Sequence, residues 1–205
     1  MAVNYIVQAE VVDIRSDHPK KDDIFLVDTN VWYWLTYTKA STSAKYYQIT
    51  DYPTYIAKAL SAQSLLLYCG LSLSELAHNI EQNENKIFSS TLTATLTAKE
   101  YRHNYSAERT NVVAEIQAAW SQVTSIAVST DIIVDEATTN SALTRFSTQP
   151  LDGYDLLILA AMENAGIIQV ITDDGDYVTV PGIRVFTGNQ NVIIAARNQS
   201  KLLIR

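Results

Sequence analysis

"IFLVDTNVWYW", residues 24–34, runs four apolar residues into an acid, spends two more polar residues and then returns to apolar bulk. A short unbroken apolar run reads as a strand buried on both faces, the kind found in parallel sheets. Residues 31–35 stay apolar and open a helix. Asp28-Thr29-Asn30 falls at the turn between the two, and Asp there is good turn and helix-cap chemistry. An acid at the carboxyl end of a buried parallel strand also lies where open sheets bind their ligands. The rest of the chain decides between these readings.

Acids recur beside other apolar runs. "SLLLYCGLSL" (64–73) reads as a second buried strand with a turn at Gly70, and Glu75 follows it. "IIQVITDDGDY" (167–177) is a third strand that runs into Asp173, Asp174 and Asp176, and "GIRVFTG" (182–188) is a fourth. Helical periodicity is expected over 55–62, over "SELAHNIEQNENKIF" with Leu76, Ile80 and Ile87, and on through Trp120 with Val112, Val113 and Ile116. Further helices are expected over 130–146 and over "GYDLLILAAMENAG", which Gly166 ends. Strands alternating with helices predict a three-layer α/β/α sandwich around a mostly parallel sheet. Residues 1–205 form one domain on this reading. It has an N-terminal extension (1–23) and a polar, Tyr-rich insertion around 36–54 that is broken by Pro53.

Composition narrows the classes. With 205 residues, 47% of them hydrophobic, the chain can bury a core without staples. Its single cysteine, Cys69, excludes an internal disulfide and reads as a small buried hydrophobe. No apolar stretch reaches the ~18 residues of a membrane span, and the N-terminus lacks signal-peptide features. These features suit a cytoplasmic protein that does not insert in a membrane. The net charge of −7 counts against a nucleic-acid binder unless the acids hold cations, which reverse the local sign.

Each acid also has a plain structural role open to it. Ser72 and Glu75 match a capping box, Asp152 and Asp155 suit a helix N-terminus, and "DDGDY" suits a hairpin turn with Gly175 at positive φ. Coincidence explains poorly why all of them fall at strand ends. Three or four carboxylates around one pocket would suit Mg²⁺ or Mn²⁺, which choose oxygen ligands.

"FLVDTNVW", "LSLSELAHNIE" and "YDLLILAAMENAGIIQVITDDGDY" together resemble the PIN domain, in an order and spacing that cover about residues 24–186. The resemblance implies an α/β/α fold and an Mg²⁺- or Mn²⁺-dependent ribonuclease, including toxins of the VapC type, with a non-catalytic PIN-like module that binds RNA or protein as the alternative. It makes Asp28, Glu75, Asp155 and Asp174 the catalytic acids. Asp28, Asp155 and Asp174 become metal ligands with Asp176 as companion, and Thr29, Asn30 and Thr172 orient the cluster. Asp152 is a supporting acid three residues before Asp155, and Asp173 is an alternative to Asp174. The implied partners are an RNA substrate, an antitoxin-like protein and a second copy of the chain.

Basic and aromatic side chains for RNA are sought among Lys39, Lys45, Lys99, Arg102, Arg109 and Arg145, with Tyr46, Tyr47 and Tyr101 for stacking. His18 and His103 read as surface or structural residues. His78 is the histidine most open to another role, since it lies one helical turn after Glu75.

Overall fold

The computed structural model describes residues 3–92, 94–131 and 133–205. Positions 1, 2, 93 and 132, which fall in the expected extension, in the helical region expected through Trp120 and in the expected helix over 130–146, lie outside them.

Six strands form one all-parallel sheet: β1 (Glu10–Asp13), β2 (Ile24–Val27), β3 (Leu65–Cys69), β4 (Val128–Thr130), β5 (Gln169–Ile171) and β6 (Arg184–Thr187). The order across the sheet is β1-β6-β5-β2-β3-β4. From β2 the chain proceeds outward through β3 and β4. It then returns to lay β5 on the other side of β2 and proceeds outward again to β6. The seam between β2 and β5 is therefore a topological switch point, where crevices open at the carboxyl ends of the strands.

Side-chain alternation on β2 divides the core into two layers. Phe25 and Val27 face a cluster with Trp32, Tyr52, Tyr55, Ile56, Leu76, Ile80 and Val123. These come from α1 (Thr29–Thr36), α2 (Tyr46–Ser61), α3 (Leu71–Leu92) and α5 (Ser106–Ile126). Leu26 faces the opposite cluster with Ile158, Leu159 and Met162 of α7 (Gly153–Asn164), and with Val192 and Ala196 of α8 (Gln190–Asn198). The remaining helices are α4 (Ala98–Asn104) and α6 (Glu136–Phe146). The three-layer α/β/α architecture agrees with the sequence expectation. Among the described residues no helix is long and apolar enough to cross a membrane.

Three expectations need correction. The extension is part of the core: Val11 and Val12 of β1 are buried, and β1 pairs with β6. A four-residue edge strand offers too short a pattern to read. Val128–Thr130 is likewise a strand, so the helix expected from 130 begins at Glu136. The supposed insertion supplies most of α2, with Pro53 inside it. There the loss of one N–H bond is offset because Tyr52, Tyr55, Ile56 and Ala59, at i, i+3, i+4 and i+7, are all buried.

The last residues close the sheet's far end. Arg205 donates to both Asp17 and Asp23 at 2.6–2.9 Å, and its guanidinium lies 4.5 Å from the centre of the Phe186 ring. This pairing accounts for the burial of two acids that the functional reading does not use.

Candidate metal centre

The register of β2 on β5 brings the first two elements of the site together. Val27 stands opposite Ile171, so the residues that follow, Asp28 and Thr172, meet as neighbours just past the strand ends. The Asp28 amide donates to the Ile171 carbonyl at 3.0 Å, and the Thr172 hydroxyl donates to Asp28 Oδ2 at 2.5 Å. Asn30 Nδ2 donates to the same oxygen at 2.6 Å, while Asp28 Oδ1 accepts from the Thr29 amide at 2.6 Å. Asp28 therefore does cap α1, and the structural reading of "DTN" is correct as far as it goes.

The cap does not explain the charge around it. Asp28 is buried, and burial pushes its carboxyl well above the usual carboxylate range, helped by the charges of Glu75 and Asp174. Asp155 is raised by burial and then by Asp28, Asp152 and Asp174. Asp174 is raised by burial and then by Asp152 and Asp173. Asp176 is raised by burial and then by Asp174 and Asp152. The charges of acids from the ends of β2 and β5 and from the starts of α3 and α7 therefore act unfavourably on one another.

Each carboxylate is held from behind. The Asp174 amide donates to the Thr172 hydroxyl at 2.9 Å, and Asp174 Oδ1 accepts from the Asp176 amide at 2.8 Å. Asp155 Oδ1 accepts from the hydroxyl of fully buried Tyr177 at 2.9 Å. Tyr177 is a residue of the site that the sequence analysis does not single out. Its placement three residues after Asp174 was the available signal.

Glu75 is not part of a capping box, because α3 begins at Leu71 and Ser72 lies within it. Burial raises its carboxyl, opposed by the Thr29 hydroxyl that faces it. The two do not complete a hydrogen bond of normal geometry. Glu75 Oε2, Thr29 Oγ1 and Asn30 Oδ1 are all buried without a partner among the described residues. Unpaired buried oxygens of this kind carry a desolvation cost, and they call for a ligand that supplies positive charge.

The remaining acids divide. Asp152 Oδ1 caps α7, accepting from the Tyr154 and Asp155 amides at 2.9 and 3.1 Å. Asp173 faces the other way. Both its oxygens accept from α2: Tyr47 and Tyr52 hydroxyls at 2.7–3.1 Å, and Gln48 Nε2 at 2.8 Å. It is an anchor for the Tyr-rich helix, and Asp174 is the acid that enters the pocket. Gly175 has φ −73°, so the acidic turn is no positive-φ hairpin. Glycine is needed there because a Cβ would lie 2.3 Å from the Tyr5 ring. Asp173→Ala removes the acceptor of Tyr47 and Gln48, while Tyr52 keeps the Thr172 carbonyl, and is expected to cost about 1–3 kcal/mol, read as a lower midpoint in urea unfolding. An unchanged midpoint would show that α2 holds without this anchor.

The donor set is oxygen only, and the orphaned oxygens and mutually raised carboxyls fit a hard divalent cation. Among the described residues no three acids, histidines or cysteines stand in an arrangement that could hold a metal ion.

A stability consequence follows for the protein without metal. A carboxyl raised on folding costs nothing below about pH 4, where it is protonated in both states. The cost grows as pH rises towards the folded value, since the folded state then holds a proton the unfolded chain releases. Stability of the metal-free protein is therefore expected to fall from pH 5 to pH 9. Asp155→Asn, which retains an acceptor for Tyr177, is expected to flatten that fall in thermal melts with chelator. An identical slope in the variant would contradict the repulsion described above.

Most of the proposed RNA contacts are committed elsewhere. Lys39 pairs with Glu84, Arg102 and Arg109 with Glu81, and Arg145 with Glu163. Tyr101 is only 1% exposed and packs near Phe88, so it cannot stack on a ligand. Tyr47 is bound to Asp173, whereas Tyr46 is 81% exposed.

No protein-family model matches the chain, and no curated protein does. Among solved structures, a chain in the crystal structure of VapBC2 from Rickettsia felis bound to a DNA fragment from their promoter is similar. The match spans 80% of this chain and 98% of that one, at 13% identity and a TM-score of 0.47. Likeness at that level says nothing about activity, so the functional reading stands on the residues themselves.

Proposed function

We propose that the protein is a Mg²⁺- or Mn²⁺-dependent endoribonuclease of the PIN type that hydrolyses RNA phosphodiester bonds. What supports this reading is that Asp28, Glu75, Asp155 and Asp174 lie near enough for their charges to raise one another's carboxyls, with unpaired buried oxygens on Thr29, Asn30 and Glu75. A phosphodiester cannot approach four uncompensated carboxylates. A cation held there by Asp28, Asp155 and Asp174 would reverse the local sign of charge and would supply Lewis-acid stabilisation of the reacting phosphodiester.

In this reading Asp28, Asp155 and Asp174 hold the cation, with Asp176 as companion. Thr172 and Asn30 fix the orientation of Asp28, and Tyr177 fixes Asp155. Glu75, with one oxygen unpartnered and its proton affinity raised by burial, accepts the proton of the attacking water. No histidine is needed, although His78 adds a favourable charge near Glu75.

The test is incubation of purified protein with matched pools of RNA and DNA oligonucleotides, with Mn²⁺ and with chelator. RNA fragments that appear only with Mn²⁺ are expected. Cleavage of DNA alone would change the substrate, and intact RNA and DNA under all conditions would end the nuclease reading.

A further inference from the structure

A second feature begins where the acids end. One face of α3 carries Glu75, Asn79, Gln82 and Lys86, at i, i+4, i+7 and i+11. Beyond Glu75 this face forms one wall of a groove of about 240 Å³, and Tyr33 and Trp34 of α1 form the opposite wall. Asn30 joins the two regions: its amide nitrogen holds Asp28, and the residue also lines the groove.

The groove's aromatic rings are braced. Trp34 is half-buried with its ring centre 5.2 Å from that of Tyr52, and Tyr33 lies 5.1 Å from Tyr37 with its hydroxyl 3.1 Å from Ser43 Oγ. Beneath them Asn83 is locked, donating to Thr42 and Tyr37. Asn79 and Gln82 also line the groove, with Gln82 Nε2 2.7 Å from His78 Nε2. Lys86, at the far end, is in no ion pair among the described residues, unlike the basic side chains committed to Glu81 and Glu84.

Planar aromatic faces beside carboxamides are the chemistry that stacks an unpaired base and reads its polar edge. The volume is below the ~300–1,000 Å³ of pockets that enclose a whole drug-sized ligand, and it suits a single ring system. We infer that this groove receives one unstacked base of a single-stranded RNA, with the half-buried Trp34 stacking it, Asn79 and Gln82 reading its edge, and Lys86 meeting the adjoining phosphate. The inference rests on the ribonuclease reading above, and it adds a base preference next to the cleaved bond.

The test measures binding of fluorescein-labelled ten-nucleotide oligo(A), oligo(C) and oligo(U) by anisotropy, alongside cleavage of the RNA pool with Mn²⁺. The unaltered protein is expected to prefer one homopolymer about tenfold. Trp34→Ala is expected to weaken all three about tenfold, with Trp34→Phe restoring most of the loss. The double variant Asn79→Ala/Gln82→Ala, on a solvent-facing helix surface, is expected to reduce the preference to within about twofold. Cleavage of the pool with affinities and preference unaltered in all variants would overturn the groove assignment and leave the nuclease intact. Neither binding nor cleavage by the unaltered protein would overturn the nuclease reading, and the groove with it.

Discussion

Asp28→Asn is expected to lower Mn²⁺-dependent cleavage of RNA by about 10²–10³-fold. Asp28 is buried and in repulsion with Glu75 and Asp174. Asn keeps the acceptor for the Thr29 amide but loses the oxygen that accepts from Asn30 Nδ2 and the Thr172 hydroxyl. The amide oxygen still accepts from the Thr29 backbone, so the cap on α1 survives. What disappears is one negative charge from the cation's ligands. Charge stabilisation by a bound metal is worth several kcal/mol in a transition state, and each 1.36 kcal/mol is about tenfold in rate. The variant's melting temperature serves as the check that rate, and not folding, has changed. Cleavage within about threefold of the unaltered protein would remove Asp28 from the chemistry.

Mn²⁺ or Mg²⁺ is expected to raise the melting temperature by about 5–10 °C at saturating concentration. A ligand at 100 times its dissociation constant adds about 2.7 kcal/mol to folded-state stability. In a domain of this size each kcal/mol moves the melting temperature by about 2–4 °C. The driving force is the relief of repulsion among Asp28, Glu75, Asp155 and Asp174, together with occupation of oxygens that have no partner. Asp28→Asn/Asp174→Asn is expected to melt higher than the unaltered protein in chelator and to gain little from Mn²⁺. An equal rise in both proteins would place metal binding somewhere else on the molecule.

The parts of the fold that could be read from sequence were those with strong patterns. "IFLV" and "QVI" are apolar on both faces because they lie at the centre of the sheet, and that made them visible. β1 and β4 are edge strands of four and three residues, partly exposed, and they carry too few alternations to stand out. Pro53 misled in another way. A proline inside a polar stretch argues for a break, yet the buried tyrosines of α2 outweigh the missing bond, and Asp173 holds the helix in place from outside it.

The candidate site was legible because sheet topology determines which strand ends meet. Asp28 and Asp174 are far apart in sequence, and only the switch point makes them neighbours. Tyr177 and the groove beside Trp34 were not legible in the same way. A tyrosine's buried hydroxyl bond depends on tertiary contact, and the Glu75–Asn79–Gln82–Lys86 face looks like an ordinary polar helix surface until α1 packs opposite it.

The most direct measurement is anomalous scattering from a crystal of the protein soaked in Mn²⁺. Divalent-ion density bounded by the carboxylates of Asp28, Asp155 and Asp174 is the expected result. Well-ordered carboxylates with no such density at saturating Mn²⁺, or a Mn²⁺ ion bound only at a distant surface, would contradict the account.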